Sequence, residues 1–151
     1  MVQGYTNLSL GLEQGQGHIL IFPGRMAYVT QGRWISLSNT AYSMYTMVYN
    51  ASQIQNDQID YWVWLSKGTY TLSLWQTLGN MGICTYYLDG SSLGSIDWYS
   101  GSASYGYRQE ITGILVATSG RKVFSIKVTN KNASSSYYYA CLHSMAFYRT
   151  A

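Results

Sequence analysis

The stretch Gln58-Ile-Asp-Tyr-Trp-Val-Trp-Leu65 decides the fold class. A strand turns successive side chains to opposite faces, so Ile59, Tyr61, Val63 and Leu65 share one side while Asp60, Trp62 and Trp64 share the other. The first side reads as core. The second carries two indoles, and left bare it would form an apolar patch larger than monomers usually tolerate. It therefore requires a central place in a sheet or a cover.

The same grammar continues on both sides of this run. Ser66-Lys67-Gly68-Thr69 leads into a strand over 68–78, and Leu78-Gly79-Asn80-Met81-Gly82 leads into another over 82–88. Asp89-Gly90 between two apolar runs is a strong hairpin signal. In the run 122–129, Phe124, Ile126 and Val128 point one way and Val123, Ser125 and Lys127 the other. Further strands read near 19–22, 27–30, 34–37, 42–49, 94–98, 109–115 and 137–148. No stretch of ten residues reads as a helix. Short Tyr-, Trp-, Val-, Ile- and Thr-rich runs between turn signals indicate an all-β, antiparallel sandwich or barrel. Nothing linker-like divides it, so one domain is expected over 1–151, with 1–17 reading equally as a first strand or an N-terminal arm. The initial methionine reads as the start of a free-standing chain.

Composition narrows the function classes. Charged residues are 10%, against about 25% in ordinary soluble domains, while aromatics reach 16% and exclude a disordered chain. Polarity comes from Ser, Thr, Asn, Gln and the hydroxyls of 16 tyrosines. The longest apolar runs fall far short of the roughly 20 residues of a spanning helix, and no signal peptide precedes the first strand, so no membrane partner is expected. The net charge of +3 is scattered, with only Arg121-Lys122, Lys127 and Lys131 approaching a cluster; this predicts no nucleic-acid partner.

The inventory for catalysis is thin. There are six carboxylates (Glu13, Asp57, Asp60, Asp89, Asp97, Glu110); Asp57 and Asp60 at a strand start and Asp89 and Asp97 around the hairpin are read first as turn caps, with a glycosidase-like pair or a calcium site as the sharper alternatives. Cys141-Leu-His143 places a thiol and an imidazole on one face of a strand, yet lacks further metal ligands. Cys84 and Cys141 read as buried thiols. No nucleophile elbow or phosphate-cradling loop is present, so no enzyme activity, metal or cofactor is expected. What stands out is aromatic excess. Most rings are expected in the core or in cross-strand pairs, and the remainder form a candidate interaction surface: Trp62 and Trp64, then Tyr99, Tyr105 and Tyr107 in a loop over 99–107, and Tyr137, Tyr138 and Tyr139 in the last strand.

The order of Gly68-Thr-Tyr-Thr-Leu72, Tyr86-Tyr-Leu-Asp-Gly90, Leu93-Gly-Ser-Ile-Asp-Trp-Tyr-Ser100, Ser119-Gly-Arg-Lys122, Lys127-Val-Thr-Asn-Lys-Asn-Ala-Ser-Ser-Ser136 and Met145-Ala-Phe-Tyr-Arg149 resembles the jelly-roll modules of tailed-bacteriophage virion proteins. More loosely it resembles jelly-roll carbohydrate-binding modules. The likeness covers about residues 58–150 and leaves 1–57 unmatched. The phage resemblance implies a jelly-roll β-sandwich acting as a non-enzymatic virion structural protein, located in the virion. Capsid decoration is favoured over a tail-fibre or receptor-binding part because the chain is short and has no fibrous repeat. It further implies a homo-oligomer, a trimer first, on partners such as the major capsid protein. The second resemblance implies a carbohydrate-binding module with a surface glycan as partner.

Overall fold

The computed structural model describes residues 18–21, 27–38 and 46–151. Eleven strands are described: β1 (His18–Ile21), β2 (Ala27–Gln31), β3 (Trp34–Ser38), β4 (Thr46–Asn50), β5 (Gln58–Leu65), β6 (Gly68–Leu78), β7 (Gly82–Leu88), β8 (Ser91–Asp97), β9 (Ser104–Val116), β10 (Gly120–Lys131) and β11 (Cys141–Arg149). One sheet runs β3-β4-β11-β6-β9, and β1 shares the β4 side of β11 by pairing with Met145–Tyr148 while β4 takes Cys141 and Leu142. The second sheet runs β2-β5-β10-β7-β8. Every pairing between these strands is antiparallel. The expected class is therefore the observed one, and the region 1–17 lies outside the described residues.

The alternation of β5 sets the interior. Ile59, Tyr61, Val63 and Leu65 are buried, as are Phe124 and Ile126 opposite Tyr61 and Ile59 on β10, and Val128 further along it. The sheets meet through rings. Phe124 packs beside Tyr61 (6.3 Å between centroids) and stacks with Tyr86 (6.4 Å), and its edge contact with Phe147 (5.2 Å) crosses to the first sheet, where Phe147 meets Tyr70. Each such pair adds about 0.5–1.5 kcal/mol beyond the area it buries.

A hydroxyl closes the interior. The Tyr86 oxygen accepts from Gln76 Nε2 of β6 (2.6 Å) and from Trp98 Nε1 just after β8 (2.8 Å). Both donors are fully buried, so this one atom satisfies two groups that water cannot reach. Burial also pushes the Tyr86 phenol well above its ordinary pKa, keeping it neutral.

The Asp89-Gly90 turn joins β7 to β8 as expected. Both residues take positive φ (48° and 80°), the geometry in which a two-residue turn matches the strand twist. Asp89 also accepts from Val123 N (2.8 Å) and pairs with Lys122 (3.2 Å), tying the hairpin to β10. The strand β8 consequently begins at Ser91, directly after the turn, and not at Gly94.

Replacing Tyr86 by Phe strands the Gln76 and Trp98 donors in the core. The expected cost is about 2–4 kcal/mol, read as a lower urea midpoint with an unchanged slope.

Candidate functional site

The sequence-predicted surface residues fall into two separate groups. Trp62 and Trp64 lie on the outward face of β5, opposite Val123 and Arg121 of β10. They are 38% and 47% exposed, beyond the stretch Gln58–Tyr61 that pairs with β2. Here the described ladder of β5 is with β10, and the second face is open at the two indoles. The Arg121 guanidinium lies 4.0 Å over the Trp62 ring, a cation–π contact. Further along the same face stand Asp60 opposite Ser125 and Gln58 opposite Lys127, with Thr85 next across β7. Gln58 Nε2 donates to Asp60 Oδ1 (2.8 Å), and Thr85 shares its hydroxyl with Ser95 and Thr129 (2.7 Å each). The face is open at the indoles, while Asp60, Ser125 and Thr85 along it are buried and bonded or packed among themselves and their neighbours.

The tyrosines gather instead at the end of the sandwich where β4–β5, β6–β7, β8–β9 and β10–β11 are joined. An open depression of ≈ 600 Å³ is lined there by Gln53, Asn80, Met81, Tyr137 and Tyr139. Tyr137 is 51% exposed, whereas Tyr139 packs edge-on against Tyr49 (5.7 Å) and Lys131 Nζ sits 5.7 Å from the Tyr138 ring. Burial, then Cys141 and the neighbouring Tyr49 and Tyr105, raise the Tyr139 pKa to about 12. Tyr105 and Tyr107 are exposed but belong to β9, and Tyr99 is half-buried beside Trp98.

Two expectations are corrected here. The segment 99–107 is a loop only as far as Ala103, because β9 starts at Ser104 and extends the pairing with β6. Residues 137–140 are not strand, so alternation does not govern which tyrosine faces out. A side chain takes the place of a ladder. Asn50 Nδ2 donates to the Tyr138 carbonyl (2.7 Å), Asn50 Oδ1 accepts from Ala140 N (2.7 Å), and Gly82 N donates to the Tyr139 carbonyl (2.7 Å). Sequence reading missed Asn50; its place at a strand end beside a turn aspartate was the available signal.

The carboxylates are engaged structurally. Asp57 Oδ2 accepts from Asn50 Nδ2 (2.9 Å), Ser52 Oγ (2.7 Å) and Ile54 N (3.0 Å). Asp97 accepts from Tyr99 N and Asn132 Nδ2 (2.9 and 2.7 Å). Glu110 pairs with Arg108 and accepts from Ser73, and these contacts lower its pKa, the Ser73 bond foremost. Cys141 and His143 do project to one side, where Cys141 contacts the Met47 sulfur (3.4 Å) and His143 Nε2 bonds Thr77 Oγ1 (2.8 Å). Among the described residues no group of three or more His, Cys, Asp or Glu could hold a metal. Both cysteines are free and buried.

Comparison with known proteins bears on the fold. No family model and no curated protein matches the sequence. Among solved structures, the xanthan lyase of Paenibacillus superposes with a TM-score of 0.75 at 16% identity over 87% of this chain, which spans only 13% of that enzyme. The CBM36-1 domain of a multidomain xylanase from the hindgut metagenome of Trinervitermes trinervoides gives 0.62 at 16% identity, covering 87% of this chain and 96% of the domain. The carbohydrate-binding module CBM36, solved with calcium and xylotriose, gives 0.59 at 14% identity, covering 85% and 98%. The fold is a jelly-roll β-sandwich. None of these three structures is a virion protein, and the phage resemblance gains no support from them.

Two outcomes follow from this geometry. Asn50→Ala should cost about 2 kcal/mol and accelerate amide exchange at Tyr139 and Ala140 more than in the strands, as read by hydrogen-exchange mass spectrometry. Burial lowers the His143 pKa, so the folded state resists a proton that the unfolded chain accepts. Stability should hold above the unfolded value of about 6.5 and fall as pH drops through the window below it, levelling off once the folded pKa is passed. His143→Gln should flatten that slope in urea midpoints measured between pH 7 and 5.

Proposed function

We propose that this chain is a non-catalytic saccharide-binding module whose primary contact surface is the outward face of β5 and β10. The observation that carries the reading is the exposed pair Trp62 and Trp64 on a flat sheet face. The C–H faces of a sugar ring are apolar and pack on an aromatic plane, while its hydroxyls need hydrogen-bond partners at the ring's edge. Gln58, part-exposed on the same face, and the exposed Arg121 beside the indoles serve that second need. Because Trp62 and Trp64 stand on a strand laddered to β10, the indoles are presented without loop ordering, which lowers the entropic cost of binding. Carbohydrate-binding modules share the fold, which supports the same reading. A role without catalysis is supported by Asp57, Asp60, Asp89, Asp97 and Glu110, each of which is held in hydrogen bonds that shape turns or strands. The tyrosine-lined depression, with the amides of Gln53 and Asn80, supplies a second, shallower sugar contact.

The same exposed indoles favour one further reading, in which the face is covered by another copy in a virion-bound homo-oligomer. Tryptophan fluorescence and light scattering separate the two. For a saccharide-binding module, a soluble glycan panel produces saturable quenching in a monomer, and Trp64→Ala abolishes it while leaving Tm nearly unchanged, since the side chain is half exposed. A stable trimer with blue-shifted emission and no glycan response would replace this reading with the oligomeric one.

A further inference from the structure

The charges around Trp64 specify the kind of sugar. Arg121 stands directly opposite Trp64 in register, yet its guanidinium leans across to lie over Trp62. That contact covers one face of the Trp62 ring and leaves Trp64 as the more exposed indole. A guanidinium resting over a ring keeps its positive charge and its fork of N–H donors, the geometry that fits a carboxylate. Arg121 has no ion pair among the described residues; the two formed there join Arg108 to Glu110 and Lys122 to Asp89.

The surroundings reinforce the sign. Lys67, in the turn after β5, is exposed, and its backbone N donates to Ser119 Oγ (2.7 Å), which packs that turn against the one leading into Arg121. Arg149 Nη2 donates to the Lys67 carbonyl (2.9 Å), adding another cation at this end. The carboxylates of this face are occupied. Asp60 is buried and bonded to Gln58, and Asp89 is paired with Lys122 and capped onto β10. The Trp64 end of the sheet therefore offers an aromatic plane beside a guanidinium with no ion-pair partner among the described residues.

From this juxtaposition we infer that the face is selective for a sugar bearing a carboxylate, a uronic acid unit, with the ring on Trp64 and the carboxylate on Arg121. The inference rests on the saccharide reading above and adds the charge of the ligand. Trp62 binds nothing directly in this arrangement. It is a positioning residue that holds the guanidinium plane.

The test uses the whole chain and two acidic probes, oligogalacturonate and glucuronate-bearing hyaluronan oligosaccharides, each beside its fully methyl-esterified form. Binding is followed by tryptophan fluorescence. The expected result is that the acids bind about tenfold tighter than their esters or better, with the advantage collapsing in 1 M salt. Arg121→Gln removes the advantage, Arg121→Lys restores only part of it because a point charge lacks the fork, and Trp64→Ala removes binding of both forms. Thermal melts of each variant exclude unfolding as the cause. Equal affinity for acid and ester overturns the charge assignment and leaves the saccharide reading standing. No binding of any acid, with neutral oligosaccharides still bound, overturns it too, whereas silence toward every sugar removes the saccharide reading itself. Comparable binding of single-stranded oligothymidylate marks a general polyanion surface and also overturns the proposal.

Discussion

The Tyr86 hydroxyl is the constraint around which the sandwich is arranged. It lies at full burial between a glutamine of one sheet and an indole that follows the edge strand of the other. The neighbouring Phe124 ring meets Tyr61 and Tyr86 in its own sheet and Phe147 across the gap, so the polar node sits inside an aromatic cluster. Apolar burial alone tolerates many packings of similar volume, but a buried hydroxyl with two committed donors tolerates few. The node fixes how the sheets register on one another. That register in turn holds the outward faces of β5 and β10 at fixed positions.

The open face of β5 follows from the same arrangement. A strand whose inner side is committed to Ile59, Tyr61, Val63 and Leu65 cannot rotate to hide its other side, because a shift of one residue would expose the core set. Trp62 and Trp64 are thus held at the surface by the residues beneath them. Burying them elsewhere would gain about 25 cal/mol per Å², and the fold forgoes that gain. The cost is offset in part by Arg121, whose stem and guanidinium shelter one indole without closing the face.

Much of this was legible in the sequence, and the failures are instructive. The bounds of β5, β6 and β7 were readable to the residue, because alternation and glycine turns act there within one strand. The first half of β9 was not. Ser104–Arg108 is polar and exposed, so its pairing with β6 leaves no hydrophobic period to see. At 137–140, tyrosine propensity pointed to strand while Asn50, about 90 positions earlier, claims the backbone groups. Long-range side-chain capping has no local signature. The candidate rings divide between a sheet face and a loop end, and that division depends on strand order, which pattern alone does not supply. Arg121 illustrates the limit: its charge was visible, and its lean onto Trp62 was not.

The strand β9 carries a consequence for how such molecules coexist at high concentration. It is the outermost described strand of its sheet, thirteen residues long, and a straight strand of that length would invite a second chain to add to it. Its pairing with β6 slips twice, between Tyr70 and Leu72 and between Gln76 and Leu78, and in each slip β9 holds the extra residue. Gly113 and Gly106 sit at these two places with φ of 71° and 64°, values that ordinary side chains resist. Two bulges bend the free edge out of the plane a docking strand would need. A chain that leaves two tryptophans open on a sheet face is thereby spared the other route to self-association, growth of one sheet into the next.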